Sequence, residues 1–180
     1  MMNDNIKIPI GIHKLSPEVK IPSYATSGAA CFDIRLFLSN TLPQMWEMFS
    51  DTPTEKQPSP RTSDTNCSIT IDPGDRVLLP TGIIMDIPSG YSVRLHSRSG
   101  LAVKHGLMLT NGEGVIDSDY VGEIMVAMTN ISDTSVCLNE GDRICQAEIV
   151  PVLVADFQII QDRPQPKCDR TGGFGSTGVK

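Results

Sequence analysis

Residues 69–95 read ITIDPGDRVLLPTGIIMDIPSGYSVRL, and the rhythm of this stretch decides the fold class. Short apolar runs (Ile69–Ile71, Val77–Leu79, Ile83–Ile87, Tyr91–Leu95) are each cut off by a turn signal: DPGD at Asp72–Asp75, PTG at Pro80–Gly82, PSG at Pro88–Gly90. Runs this short fall below the roughly ten residues that a helical pattern needs, and the Gly and Pro breaks supply turn geometry. The beat resumes in IMVAM at Ile124–Met128, passes NEGD at Asn139–Asp142, and ends in ICQAEIVPVLV at Ile144–Val154. Strands spaced so regularly predict an all-β sandwich or barrel in one domain, not βαβ units.

Composition supports one core. A chain of 180 residues with 39% hydrophobic and 20% charged side chains is ordinary for a globular domain. Aromatics are only 5%, so Ile, Val, Leu and Met must build the interior. The net charge of −6 argues against a general nucleic-acid binder, which needs a basic face. A small polyphosphate ligand is not excluded, because a metal ion and a few arginines meet its charge. Cys31, Cys67, Cys137, Cys145 and Cys168 are odd in number and form no C-x-x-C pair, so free thiols in a reducing compartment are expected. The N-terminus lacks the basic-then-apolar pattern of a signal peptide, and no stretch nears the roughly 18 apolar residues of a membrane span. The expectation is a soluble, cytoplasmic protein.

Toward the N-terminus, Ile6–Ile12 alternates around an edge-type proline and reads as a strand. SGAACFDIRLFL at 27–38 is apolar with one acid inside it, Asp33. An acid within a strand is costly unless paired, so Asp33 is expected beside an arginine or near a metal. Residues 39–66 read as an insertion. Thr41–Gln44 resembles a capping box with proline in the first turn, predicting a short helix through Met45, Trp46, Met48 and Phe49. Asp51–Asn66 is rich in Pro, Ser and Thr, with no large apolar residue, and reads as loosely packed or disordered. The domain is thus expected over 1–160, followed by a flexible arm at 161–180. That arm ends in RTGGFGSTGVK, where four glycines and three hydroxyls flank Phe174. Such an end is commonly inert, yet glycine amides can wrap phosphate and an aromatic face can stack on a base.

The richest stretch for chemistry is NGEGVIDSDYVGE, Asn111–Glu123. Asn-Gly is a strong hairpin signal. Gly114 frees backbone for close approach by a ligand, and Val115 and Ile116 lead Asp117 to the far end of a short strand. The plain alternative is a turn with solvated aspartates.

Five motifs in order resemble the trimeric dUTP diphosphatase (dUTPase) family: SGAACFDI, HSRSGLA at His96–Ala102, NGEGVIDSDYVGE, GDRICQAE at Gly141–Glu148, and RTGGFGSTG at Arg170–Gly178. The resemblance implies a jelly-roll-like homotrimer with shared sites, hydrolysing dUTP to dUMP and pyrophosphate with Mg²⁺. It implies that Asp117 activates the water attacking the α-phosphate, and that Tyr120 packs under the deoxyribose. Asn111 and the backbone of Gly114, Val115 and Ile116 would read uracil. Arg98, Ser99, Gly100 and Gln146 would contact phosphates or their water. Asp33 would lie near the hydration shell of an Mg²⁺ held mainly by the substrate. Arg170, Phe174, Gly175, Ser176 and Thr177 would close over the nucleotide, Phe174 stacking on the base. Asp142 and Arg143 would brace the site, and His96 and His105 would be structural.

Departures from the family pattern are Cys31 and Ser97, the charge of Glu113, an arm shorter by one residue after Arg170, and the insertion. The insertion is expected to be a surface excursion anchored by Trp46, dispensable for hydrolysis. The alternatives are a dCTP deaminase of the same fold, for which Glu113 is the one supporting residue, and a regulatory binding protein on this scaffold.

Overall fold

The computed structural model describes residues 7–39, 41–47, 50–55, 59–60, 67–165 and 167. Along the chain these form β1 (Gly11–Lys14), β2 (Ser23–Tyr24), β3 (Phe32–Arg35), β4 (Gln44–Trp46), β5 (Thr54–Glu55), β6 (Ser59–Pro60), β7 (Cys67–Ile71), β8 (Arg76–Pro80), β9 (Ile83–Asp86) and β10 (Tyr91–His96). Then come α1 (Ser99–His105), β11 (Leu107–Leu109), β12 (Glu113–Ile116), β13 (Met125–Asn130), β14 (Val136–Asn139) and β15 (Arg143–Pro151).

Two five-stranded sheets, ordered β12-β10-β15-β3-β2 and β11-β13-β8-β4-β5, carry most of the architecture, with smaller sheets β14-β7-β6 and β1-β9 beside them. Every pairing is antiparallel. This is the all-β class expected from the turn rhythm, in the jelly-roll-like form that the family resemblance implied. Alternation along the strands sends one face inward: Val126, Met128 and Asn130 of β13 are buried, with Met125, Ala127 and Thr129 half-exposed between them. Ile34, Ile71, Leu79, Val93, Leu107, Ile124 and Ile144 are essentially fully enclosed in one apolar cluster. Asn130 is one of the buried polar residues, its amide donating to the carbonyls of Ile71 (2.9 Å) and Thr134 (2.8 Å). Among the described residues, no helix is long and apolar enough to cross a membrane.

Four local expectations are corrected. The first strand begins at Gly11, not at Ile6, with Ile6 outside the described residues. The predicted helix at 45–49 is instead strand β4: Met45 is only 2% exposed and Gln44–Trp46 pairs with Leu78–Arg76 of β8, so edge pairing overrides the capping-box signal. Met48 and Phe49 lie outside the described residues. Within Asp51–Asn66, Thr54–Glu55 and Ser59–Pro60 pair with β4 and β7, giving ordered pieces where composition predicted none. Finally, the strand expected over Ile144–Val154 leaves its ladder at Pro151. Beyond it, Leu153, Val154, Phe157 and Ile159 are more than nine-tenths exposed.

Candidate active site

Three strands of one sheet build the first half of the site. Asp33 of β3 lies opposite Gln146 of β15, and Gln146 lies opposite His96 of β10. Directly opposed residues share a face, so a row of polar side chains crosses the sheet where β10 hands over to Ser97 and Arg98. The Asp33 carboxylate is held between two arginines: Oδ1 is 3.4 Å from Arg98 Nε, and Oδ2 accepts from Arg143 Nη1 at 3.0 Å. Arg98 Nη1 also donates to the Arg143 carbonyl at 2.7 Å. Gln146 Nε2 donates to the Ser97 carbonyl at 3.3 Å, and Ser97 Oγ accepts the Leu109 amide at 2.9 Å.

Two arginines on one carboxylate leave a net positive charge, and they face an open cavity of about 470 Å³. Ser99, Gly100, Ala25, Ala29, Ala30, Cys31 and Gln146 also line it. Helix α1 starts at its edge with Arg98 as N-cap, without a side-chain cap and without acid in the first turn. The first amides of a helix lack intrahelical acceptors and favour anions. A Cβ added at Gly100 would meet nothing of this chain within 4 Å, so internal packing does not demand glycine there. The cleared space suits a ligand that approaches the backbone. Cys31 is half-buried, and its thiol is pushed up by burial and then by Glu148.

The second half lies on β12. Gly112 adopts φ 72 in the turn, yet β11 and β12 join different sheets, so Asn111–Gly112 forms a corner between sheets, not the expected two-strand hairpin. Gly114 is buried, and a Cβ there would come within 3.0 Å of Leu95 side-chain atoms, so packing on β10 already accounts for this glycine. Asn111, Val115, Asp117 and Tyr120 are exposed and Ile116 is half-buried. The Tyr120 hydroxyl donates to the Glu123 carbonyl at 2.8 Å. Glu113 meets Arg94 at 3.3 Å and His96 Nδ1 at 3.9 Å, while His96 Nε2 is 3.1 Å from Glu148. The Glu113 charge is therefore answered on its own sheet.

The two halves do not converge within one chain. β12 runs antiparallel to β10 with Ile116 opposite Val93, so Asp117 continues away from His96 and the arginines. Carrying that register on by one residue would set Asp117 level with Ser92, six residues before Arg98. At strand rise that is on the order of 15–20 Å. Arg170, Phe174, Gly175, Ser176 and Thr177 lie outside the described residues. Among the described residues, no three His, Cys, Asp or Glu side chains converge to hold a metal, and both Asp33 oxygens already face arginines. Sequence reading missed Ser97 as a tie between β10 and β11, and Glu123 as the acceptor of Tyr120. A lone serine and a strand-leading glutamate carry no spacing signal.

An all-β domain with a paired-arginine anion cradle beside a helix start belongs among proteins that bind phosphorylated ligands. The dUTPase family model matches residues 64–178. The deoxyuridine 5'-triphosphate nucleotidohydrolase of Dinoroseobacter shibae is 41% identical over 160 residues, covering 89% of this chain and 88% of that protein. That of Desulfotalea psychrophila is 37% identical over 161 residues, 89% of each. In fold, a dUTPase structure from Streptococcus mutans aligns with TM-score 0.61 at 27% identity, covering 82% of this chain and 99% of that one. A Staphylococcus bacteriophage 80alpha dUTPase structure with dUpNHpp aligns with TM-score 0.71 at 20% identity, covering 96% and 100%. The chain belongs to the dUTPase family.

Proposed function

We propose that this protein is a dUTP diphosphatase, cleaving dUTP with water to dUMP and pyrophosphate. The observation that carries the reading is the cradle, where the first, second and fourth motifs meet: Asp33 fixes Arg98 and Arg143, and Arg98, Ser99 and Gly100 open onto the cavity. Arginine suits this task because its planar fork pairs two phosphate oxygens. Asp33 serves chiefly by locking the guanidinium groups in place before substrate arrives, which is how a fixed charge becomes catalytically useful.

In this reading Asp117 holds and deprotonates the water that attacks the α-phosphorus in line. Its position at the exposed end of β12 leaves it free to face a substrate. Tyr120, tied down by its hydroxyl, underlies the sugar and excludes a ribose 2′-hydroxyl. Asn111 and the backbone from Gly114 to Ile116 take the uracil edge, where a wrong base would leave buried donors unpaired. Gln146 orients the phosphate region. Arg170, Phe174, Gly175, Ser176 and Thr177 close the site from the arm. The residues present fit a hydrated Mg²⁺ brought in by the triphosphate better than a protein-held one, because both Asp33 oxygens are engaged by Arg98 and Arg143 and the carboxylate would stand only near the ion's water shell. That ion would neutralise phosphate charge.

We also assign the active form as a homotrimer that completes each site between chains. The separation of Asp117 from the cradle supports this, as do Leu153, Val154, Phe157 and Ile159, exposed on a single chain. The product dUMP is the kind of precursor that thymidylate synthesis consumes, and we place the enzyme in the cytoplasm; Cys31, Cys137 and Cys145 are free thiols. The test is pyrophosphate release with Mg²⁺ from dUTP, dTTP, dCTP and UTP in parallel. Turnover of dUTP well above the others is expected. Intact dUTP, or ammonia released from dCTP, would overturn the reading.

A further inference from the structure

The last residue of the Asn111–Glu123 segment joins three distant parts of the chain. Glu123 Oε1 accepts the backbone N–H groups of Thr81 (3.2 Å) and Gly82 (2.7 Å). Oε2 accepts the Thr41 hydroxyl at 2.6 Å, and Thr41 belongs to the insertion. At the other end of the same residue, the Glu123 carbonyl accepts the Tyr120 hydroxyl at 2.8 Å.

Gly82 sits at φ +70, and a Cβ there would come within 2.5 Å of Val19 Cγ2, so the two donating amides belong to a turn packed closely on Val19 and Phe37. Ile124, next in the chain, is fully buried; its N–H donates to the Ile83 carbonyl at 2.8 Å and its carbonyl accepts Thr81 Oγ1 at 2.6 Å. Tyr120 is equally constrained. A Cβ on Gly122 would lie 2.6 Å from the Tyr120 hydroxyl oxygen and 2.8 Å from Cζ, so the tip of the ring rests on this glycine.

We infer that Glu123 is a positioning residue for Tyr120, and that the insertion bears on sugar selection by completing the Glu123 hydrogen-bond set through Thr41. This rests on the proposed dUTP reading, in which Tyr120 underlies the deoxyribose. A carboxylate that accepts three donors has little freedom. Losing one frees the side chain and leaves the Glu123 backbone held from the Ile124 side by the Ile83 carbonyl, so the Tyr120 hydroxyl can shift with the loosened residue. Displacement of a substrate-positioning group by about 1 Å is enough to cost up to about a hundredfold in rate.

The test is steady-state kinetics of the full chain with Mg²⁺, on dUTP and on UTP, for Thr41→Val, Thr41→Ser, Glu123→Ala and Glu123→Gln. Expected results are an about tenfold fall in the dUTP-to-UTP ratio of kcat/KM for Glu123→Ala, carried mainly by KM for dUTP, and a fall of about threefold for Thr41→Val. Thr41→Ser, which keeps the hydroxyl, should restore the wild-type ratio. A merely structural role would lower thermal stability and leave the ratio alone. If Glu123→Ala does not fold, the Thr41 pair decides. Wild-type protein that selects dUTP, with Thr41→Val equal to Thr41→Ser in that ratio, overturns this inference alone. Wild-type protein inert toward dUTP overturns the parent reading and this inference with it.

Discussion

If Asp117 and the arginine cradle serve the same phosphorus, they must come from different copies of the chain. Pairing Ile116 with Val93 sends Asp117 one way along β10 while Arg98 leaves the other way, a separation on the order of 15–20 Å at strand rise. That is several times the reach of a positioned base. Two crippled chains should therefore repair each other. Asp117→Asn spoils the water-activating half and Arg98→Ala the cradle, each expected to slow hydrolysis by about a hundredfold or more. Let equal amounts be unfolded together and reassembled at random. A working site then needs its cradle from an Asp117→Asn chain and its carboxylate from an Arg98→Ala chain, so about one site in four is intact. Pyrophosphate release from dUTP should rise from about 1% for either variant to about 25% of wild type. Differently tagged chains, seen in one assembly by mass spectrometry, verify the exchange. If mixed assemblies form and activity stays at the average of the two variants, the site closes within one chain and the geometric argument is wrong.

Three further outcomes follow from burial. Met45→Ala should lower unfolding free energy by about 2–5 kcal/mol, because Met45 is 2% exposed; a urea-melt difference below about 1 kcal/mol would mean that the insertion does not reach the core. Burial pushes the Cys145 thiol up to about 12, with Asp33 adding to it and Arg98 opposing it. At pH 8 Cys145 should resist iodoacetamide in the native protein and react only after denaturation, read by peptide mass spectrometry, whereas exposed Cys137 labels at once. Glu140 is raised from 4.5 by partial burial, against the lowering effect of the Leu38 amide. Its folded form holds the proton more tightly, so the stabilising effect is complete below that value and is lost as pH rises through the folded one. Glu140→Gln should gain stability relative to wild type between pH 4.5 and pH 7 in urea melts, and a pH-independent gap would refute the assignment.

Fold class was legible because turn chemistry is local. Asp72–Asp75, Pro80–Gly82 and Pro88–Gly90 each specify their break within four residues, and the strands between them fall where the apolar runs lie. Asp33 was legible too, since an acid inside an apolar strand must find a cation, and Arg98 and Arg143 supply two. What failed depended on partners far away in sequence. Thr41–Gln44 has a helix-start pattern, but the open edge of β8 recruits Gln44–Trp46 as a strand. Asn111–Gly112 has a hairpin pattern, but its flanking strands pair with β13 and β10 instead of each other. Gly114 was read for ligand approach, and its close packing on Leu95 is a second demand that the sequence did not show. Glu123 gave no signal, because its meaning comes from Thr41, Thr81 and Gly82.

The insertion does two separable jobs, and its placement says how to divide them. β4 and β5 extend the sheet at the side opposite β11, the strand that leads into the Asn111 turn. There they cover the backbone edge of β8, which would otherwise present unpaired donors and acceptors to other chains. Influence through the sheet would have to cross β8 and β13 to reach that turn. Thr41 bypasses the sheet entirely, standing before β4 and reaching Glu123 directly. Replacing Gln44–Glu55 by a short Gly-Ser linker, with Thr41 retained, should therefore lower Tm while leaving the dUTP-to-UTP ratio unchanged. Thr41→Val should shift the ratio with a smaller loss of Tm than the linker causes, since one partly buried hydroxyl bond to a carboxylate contributes about 1.5–3 kcal/mol. Should the linker variant lose sugar selectivity as Thr41→Val does, the edge strands and the threonine act as one unit, and the division drawn from the sheet order fails.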